Sequence, residues 1–249
     1  MGDTPTFTAL SGATQTGPNT FWTKAALSYA RNAEGGLAWL QSYMPKLRLA
    51  ASFCFDLIDD EVGLLKAPGS LMIDVFIRNN FTADSNAMIV GFLRDFADAE
   101  SIVGNHSGAA ALRAKADRVS GAMLELLWEE DHFLTQRNPD NTTRDFVDYD
   151  ANLIAVAHGI GGLDKMQQVL ARVDSGRCSS NKGAGPQFVS EKWYGPGDTT
   201  HGNVGDSWTS MGRIAWFDGH ARKQVGSLEA LEAFDKHTLG PLQEDLLEV

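Results

Sequence analysis

The chain has 249 residues, 43% of them hydrophobic, and 32 acidic against 21 basic side chains give it a formal net charge of −11. That length supports a sizeable core, read here as one domain over residues 1–249. The acidity opposes binding to nucleic-acid phosphates or anionic lipid, because repulsion acts before any contact forms, whereas a neutral ligand meets no such penalty. No apolar run is long enough to span a bilayer. The two cysteines, Cys54 and Cys178, form neither a disulfide framework nor a metal-ligand spacing. Met1–Pro5 lacks the basic and apolar regions of a secretory signal, so the expected compartment is the cytoplasm unless a leader lies outside this chain.

In chain order, Gly17-Pro18-Asn19-Thr20 reads as a stop and cap before a helix starting near Phe21 and ending before Gly35-Gly36. A second helix is predicted from about Leu37 to Leu57, with Leu40, Met44, Leu47 and Ala51 at helical spacing and a kink or break at Pro45. Asp59–Ser70 reads as an irregular crossing with a short extended piece at Gly63–Leu65. A long helix follows from Ala83 to Val103, then a turn at Gly104–Gly108 and a helix to about Trp128, which together make a helical hairpin. Asp131–Arg137 is an extended excursion ending in the turn Asn138-Pro139-Asp140-Asn141. Asp148 or Asp150 caps a short helix over Asn152–Ala157, and Leu163–Val173 returns beside it. The stretch Asp174–Gly205 has no regular apolar period, which in a compact domain signals function or disorder. Helices over Asp206–Val225 and Leu228–Leu247 close the chain. Helix pairs separated by longer links, with no strand of useful length, make an all-α array of hairpins.

Two acidic regions at loop-to-helix junctions stand out. One is Asp74-Val75-Phe76-Ile77-Arg78 followed by Asp84-Ser85-Asn86; the other is Ser190-Glu191-Lys192-Trp193-Tyr194, running on to Trp208. Cleaving a glycosidic bond takes one acid to protonate the leaving oxygen and a second carboxylate on the other side of the bond, and Asp74 and Glu191 meet that requirement. Trp193, Tyr194 and Trp208 can stack on the C–H faces of a sugar, while Arg78, Asn86, Asp150 and Asn152 are the groups to hold hydroxyls and His201 lies in the same long loop. Trp216 reads as a core residue of the helix after Asp206. A loop carboxylate is more often a solvated charge or a cap than a catalyst. No nucleophile elbow, phosphate-cradling glycine loop or metal-spaced histidine set is present.

Three blocks carry a resemblance to a known family: Met72-Ile73-Asp74 with Arg78 and Asp84-Ser85-Asn86-Ala87; Tyr149–Val156; and Ser190-Glu191 with Gly202 and Ser207-Trp208-Thr209. In these the chain resembles the six-hairpin, or (α/α)6-barrel, glycosidases, in particular the amylo-α-1,6-glucosidase, glucosidase and trehalase-like branch. The resemblance implies an all-α toroid of helical hairpins, incomplete against the full twelve-helix barrel. It also implies inverting hydrolysis of a glucoside or related oligosaccharide, with Asp74 as general acid and Glu191 as general base, Asp84 and Asn152 lining the sugar subsite, and neither cofactor nor metal. Leu71-Met72-Ile73 replaces a segment where the family often has tryptophan, Met88-Ile89 replaces an aromatic pair, and Asp206 stands where a neutral amide is usual. An incomplete ring leaves apolar helix faces open, which favours a homo-oligomer or a complementing chain. The alternative function is a non-hydrolytic carbohydrate-binding or assembly protein on the same scaffold.

Overall fold

A computed structural model describes residues 15–72, 75–175, 189–192, 194–199 and 212–236. Among them are eight α-helices: α1 (Gly17–Asn32), α2 (Gly36–Phe55), α3 (Ala83–Ile102), α4 (His106–Leu126), α5 (Tyr149–Ala157), α6 (Gly162–Ser175), α7 (Gly212–Val225) and α8 (Leu228–Phe234). Five strands of two residues each complete the regular structure: β1 (Phe81–Thr82), β2 (Trp128–Glu129), β3 (His132–Phe133), β4 (Gln136–Arg137) and β5 (Thr143–Arg144).

Burial sorts the helices into two layers. Every residue of α3 from Ala83 to Leu93, and of α5 from Tyr149 to Val156, is buried. A helix covered on all sides belongs inside the fold. By contrast α6 buries only Met166, Val169, Leu170 and Val173, one stripe at the 3.6-residue period, and faces solvent with the rest. The helices α1, α3, α5 and α7 pack in sequence as an inner row, and α2, α4, α6 and α8 each fold back on the inner helix before them. Close approach of α3 to the end of α5 requires Gly91, where an added Cβ would lie 2.2 Å from the His158 ring.

Loops gather at the N-terminal ends of α3 and α5. Strands β1, β4 and β5 form an antiparallel sheet in that order, with Thr82 opposite Gln136 and Gln136 opposite Arg144; β2 and β3 form a hairpin. Isolated bridges join Ala67 to Asn80, Phe76 to Thr199 and Asp148 to Ser190, so segments far apart in the chain share this end.

Two helix predictions need correction. Helix α1 starts at Gly17, with Pro18 inside its first turn; proline is tolerated there because the amide it lacks would have no helical partner. Helix α2 continues through Pro45 without a break. Pro45 and Gln41, whose carbonyl loses its bond, are both exposed, so water can satisfy that carbonyl. The hairpin α3–α4 and the excursion through β3 and β4 follow the sequence expectation within a residue or two.

Candidate functional site

Arg78 sits at the N-terminal ends of α3 and α5 and is 1% exposed. Its guanidinium meets three carboxylates: Nη1 lies 2.8 Å from Asp150 and 3.4 Å from Asp84, and Nη2 lies 3.0 Å from Asp148. Its Nε donates to the Tyr194 hydroxyl at 3.1 Å, and that hydroxyl lies 2.8 Å from both carboxylate oxygens of Asp148. All five side chains are buried. One cation among three carboxyls leaves excess negative charge unless a proton is retained. Asp148 is the carboxyl driven towards retaining it. Burial pushes its carboxyl up to about 7, the Asp150 charge adds to that push, and Arg78 opposes both. Burial likewise raises the Tyr194 phenol well above its usual range, so it remains a donor.

Arg78, Asp84, Asp150 and Tyr194 were thus each singled out by sequence and are brought together. They are closed in, however, rather than set out for a ligand. Tyr194 in particular cannot serve as a sugar platform as it stands: Phe76 stacks on one face at 4.1 Å and Phe146 lies parallel at 3.9 Å, with interplanar angles of 16° and 19°. Asp148, which sequence reading considered only as a helix cap, makes no side-chain cap hydrogen bond and belongs to this cluster instead.

Asn86 and Asn152 have a different role from the hydroxyl-holding one expected. Asn86 accepts from the Leu65 amide at 2.7 Å and donates to the carbonyls of Leu65 and Thr82. Asn152 repeats the arrangement one hairpin later, accepting from the Phe133 amide at 2.7 Å and donating to the carbonyls of Phe133 and Asp148. Each amide thus acts as a peptide-like staple from the fourth residue of an inner helix to the loop before it, with the Arg78-facing aspartate two residues ahead. This Asp-x-Asn repeat, Asp84/Asn86 and Asp150/Asn152, was visible in the sequence and was the missed signal. Replacing Asn152 with alanine leaves a buried amide and carbonyl without partners and should cost about 1–3 kcal/mol, read as a lowered urea midpoint.

Glu191 is pinned. Arg172 on α6 donates to both its oxygens, Nε to Oε1 at 2.6 Å and Nη2 to Oε2 at 2.8 Å. Arg172 also contacts Asp131. Asp74, Trp193, His201 and Trp208 lie outside the described residues. Asp206 and Cys178 also lie outside them, whereas Cys54 is a buried free thiol.

Trp216 corrects another expectation: it is 52% exposed, with its ring 4.0 Å from that of His220, while the neighbouring Phe217 takes the core position. Phe21, Leu71, Met72, Trp216 and Phe217 line a cleft of about 550 Å³ between α1 and α7, and Lys24 stands at its wall paired with Asp95 at 2.5 Å. Among the described residues no helix is long and apolar enough to cross a membrane, and no group of three or more His, Cys, Asp or Glu side chains is placed to hold a metal.

No protein-family model matches the sequence, and no curated protein matches it. Solved structures do. One is a GH78 family rhamnosidase of Bacillus sp. GL1, 20% identical, TM-score 0.59, over 66% of this chain and 18% of that one. Another is a rhamnosidase from Klebsiella oxytoca with rhamnose bound, 12% identical, TM-score 0.62, over 87% of this chain and 36% of that one. The chain spans about a fifth to just over a third of the length of these structures. The particular amylo-glucosidase and trehalase branch is not what they represent. Their likeness concerns the fold, and it gives the described helices their place: this is an all-α protein built from the helical hairpins of an (α/α)6 toroid, and its described residues supply eight helices of such a ring.

Proposed function

We propose that the chain is a glycoside hydrolase domain whose saccharide site lies at the N-terminal ends of the inner helices, with a rhamnoside as the first substrate to test. The observation that carries this reading is the cleft between α1 and α7. Its aromatic and aliphatic wall of Phe21, Leu71, Met72, Trp216 and Phe217 suits a ring with an apolar face, and it opens two residues before Asp74. A 6-deoxy sugar places a methyl group where glucose has a hydroxymethyl, which fits such a wall better than the glucoside the sequence resemblance implies. The rhamnosidase neighbours, one with rhamnose bound, support the same choice. In the proposed reaction Asp74 protonates the departing oxygen and Glu191 draws a proton from water on the opposite face. Inversion then requires carboxyls roughly 6.5–9.5 Å apart.

A second reading, a carbohydrate-binding protein without hydrolysis, is favoured by one contact. Both oxygens of Glu191 already accept from the Arg172 guanidinium, a charge-assisted pairing that makes the carboxylate a weaker base toward water. Product analysis on panels of rhamnosides and glucosides separates the two. Hydrolysis that falls about 10²-fold or more in both Asp74→Asn and Glu191→Gln, with sugar binding retained, is the expected result. Sugar bound but never cleaved, with Glu191→Gln indistinguishable from the parent chain, would transfer the conclusion to the second reading.

A further inference from the structure

The segment carrying Glu191 is held by a second polar assembly, separate from the Arg78 cluster. Arg172 grips Glu191 with Nε and Nη2, and its Nη1 lies 3.3 and 3.2 Å from the two oxygens of Asp131. Asp131 Oδ1 is 2.9 Å from His132 Nδ1, and His132 Nε2 is 3.2 Å from Asp145 Oδ2. That same Asp145 oxygen receives Lys192 Nζ at 2.9 Å, and Lys192 Nζ also donates to the Asp145 carbonyl at 3.0 Å. The neighbours Glu191 and Lys192 therefore occupy the two ends of one chain of alternating charge with an imidazole at its middle. Their backbones are bound to the same wall, Glu191 N to the Val147 carbonyl at 3.3 Å and Lys192 N to the Phe146 carbonyl at 3.1 Å.

A neutral imidazole has one donor and one acceptor nitrogen, so it can satisfy only one of two flanking carboxylates. The ring of His132 is buried between two. Both contacts are hydrogen bonds only when both nitrogens carry protons. Losing that charge sets a lone pair against an ionised oxygen and leaves Arg172 as the cation on Asp131 and Lys192 as the cation on Asp145, whose other oxygen accepts from the Val147 amide at 2.9 Å. The charged groups around the ring are Asp131 in the β2–β3 turn, Asp145 after β5, Arg172 from α6, Lys192 and Glu191 from the segment itself, and Glu129, the cross-strand partner of His132 on β2.

We propose that Arg172 is the positioning residue for Glu191 and that the doubly protonated ring of His132 keeps this clasp closed, so that the 189–192 segment is pinned while the ring is charged and loosened as rising pH discharges it. The part assigned to Glu191 rests on the hydrolase reading; the clasp itself does not. Burial alone would lower the His132 imidazole, but its hydrogen bonds to Asp145 and Asp131 outweigh burial and raise it above the ordinary 6.5. A folded value above the unfolded one contributes stabilisation that is complete below the unfolded value and is lost as pH rises through the folded one. Asp145 is held well below the usual carboxylate range: burial raises it, but bonds from His132 and Lys192 prevail, so the clasp survives mild acid.

Hydrogen exchange on the full chain tests this at the Glu191 and Lys192 amides, expressed as protection relative to the intrinsic rate at each pH. Between about pH 5.5 and about pH 9 protection should fall severalfold in the parent chain as the ring gives up its second proton. In His132→Gln it should be low and level throughout. Level protection in the parent chain, or the same fall in His132→Gln, would overturn the proposal, and the parent profile needs no variant to fold. If the chain hydrolyses a saccharide, Arg172→Lys should lower kcat with little change in KM and move the alkaline limb of the pH profile. Graded protection without any hydrolysis would count against the hydrolase reading alone, and measured hydrolysis with level protection against the clasp alone.

Discussion

Arg78→Leu is expected to cost the fold about 3–5 kcal/mol at neutral pH, the range for removing one partner of a buried ion pair and leaving the other uncompensated. The loss arises from what stays behind. Asp84, Asp148 and Asp150 converge on the guanidinium from two inner helices and the residue that precedes one of them, and all are buried. The Tyr194 hydroxyl loses its donor as well. Leucine fills part of the space without returning a charge. Arg78→Lys should recover only part of the loss, since a single ammonium cannot reproduce a planar fork that meets three carboxylates and a phenol. Urea denaturation reads the effect, and the deficit should shrink as pH is lowered, because protonation removes the negative charge left without a partner. An Arg78→Leu chain with the parent midpoint would show that the cluster contributes little to the fold.

Asp148→Asn should have the opposite sign in neutral and alkaline solution. Burial is the main reason the Asp148 carboxyl sits near 7 against an ordinary 3.8. Between those values the folded chain keeps a proton that the unfolded chain has released, so stability falls with rising pH by up to about 1.4 kcal/mol per unit for this one group. The contribution is fully present below the unfolded value and gone once pH passes the folded one. Asparagine keeps an oxygen for the Tyr194 hydroxyl and cannot ionise. The variant's melting temperature should therefore exceed the parent's at about pH 8 and vary less between about pH 5 and pH 8. Parallel melting curves would rule out Asp148 as the proton holder. The two substitutions should also be non-additive, because both alter the charge balance of one buried cluster in which the two side chains touch.

How much of this was legible beforehand differs by residue. The hairpin α3–α4 and its turn were readable because apolar periodicity and the Gly104–Gly108 break are local signals. Arg78, Asp84 and Asp150 were selected as groups to hold a sugar, and the sequence could not tell a ligand-facing set from one that satisfies itself. An asparagine amide offers the same atoms to a sugar hydroxyl and to a peptide group, so the stapling roles of Asn86 and Asn152 required the position of Leu65 and Phe133. Tyr194 reads as an exposed platform in its Gly/Pro-rich setting, and only packing shows that Phe76 and Phe146 cover it. Trp216 failed in the opposite direction, because adjacent aromatics on one helix cannot both face the core and the period alone did not choose between Trp216 and Phe217.

Residue order settled the all-helical character, the succession of hairpins and the acidic charge that disfavours polyanion partners, since these follow from neighbours along the chain and from summed charge. Which carboxylates would share one guanidinium, which would be clasped by Arg172, and which aromatic would face the cleft were decided in three dimensions. Ion pairs and stacking reach only a few ångströms, and the partners here are separated by up to 116 positions, as between Arg78 and Tyr194. Their meeting depends on how the helices pack, and local spacing carries no record of it.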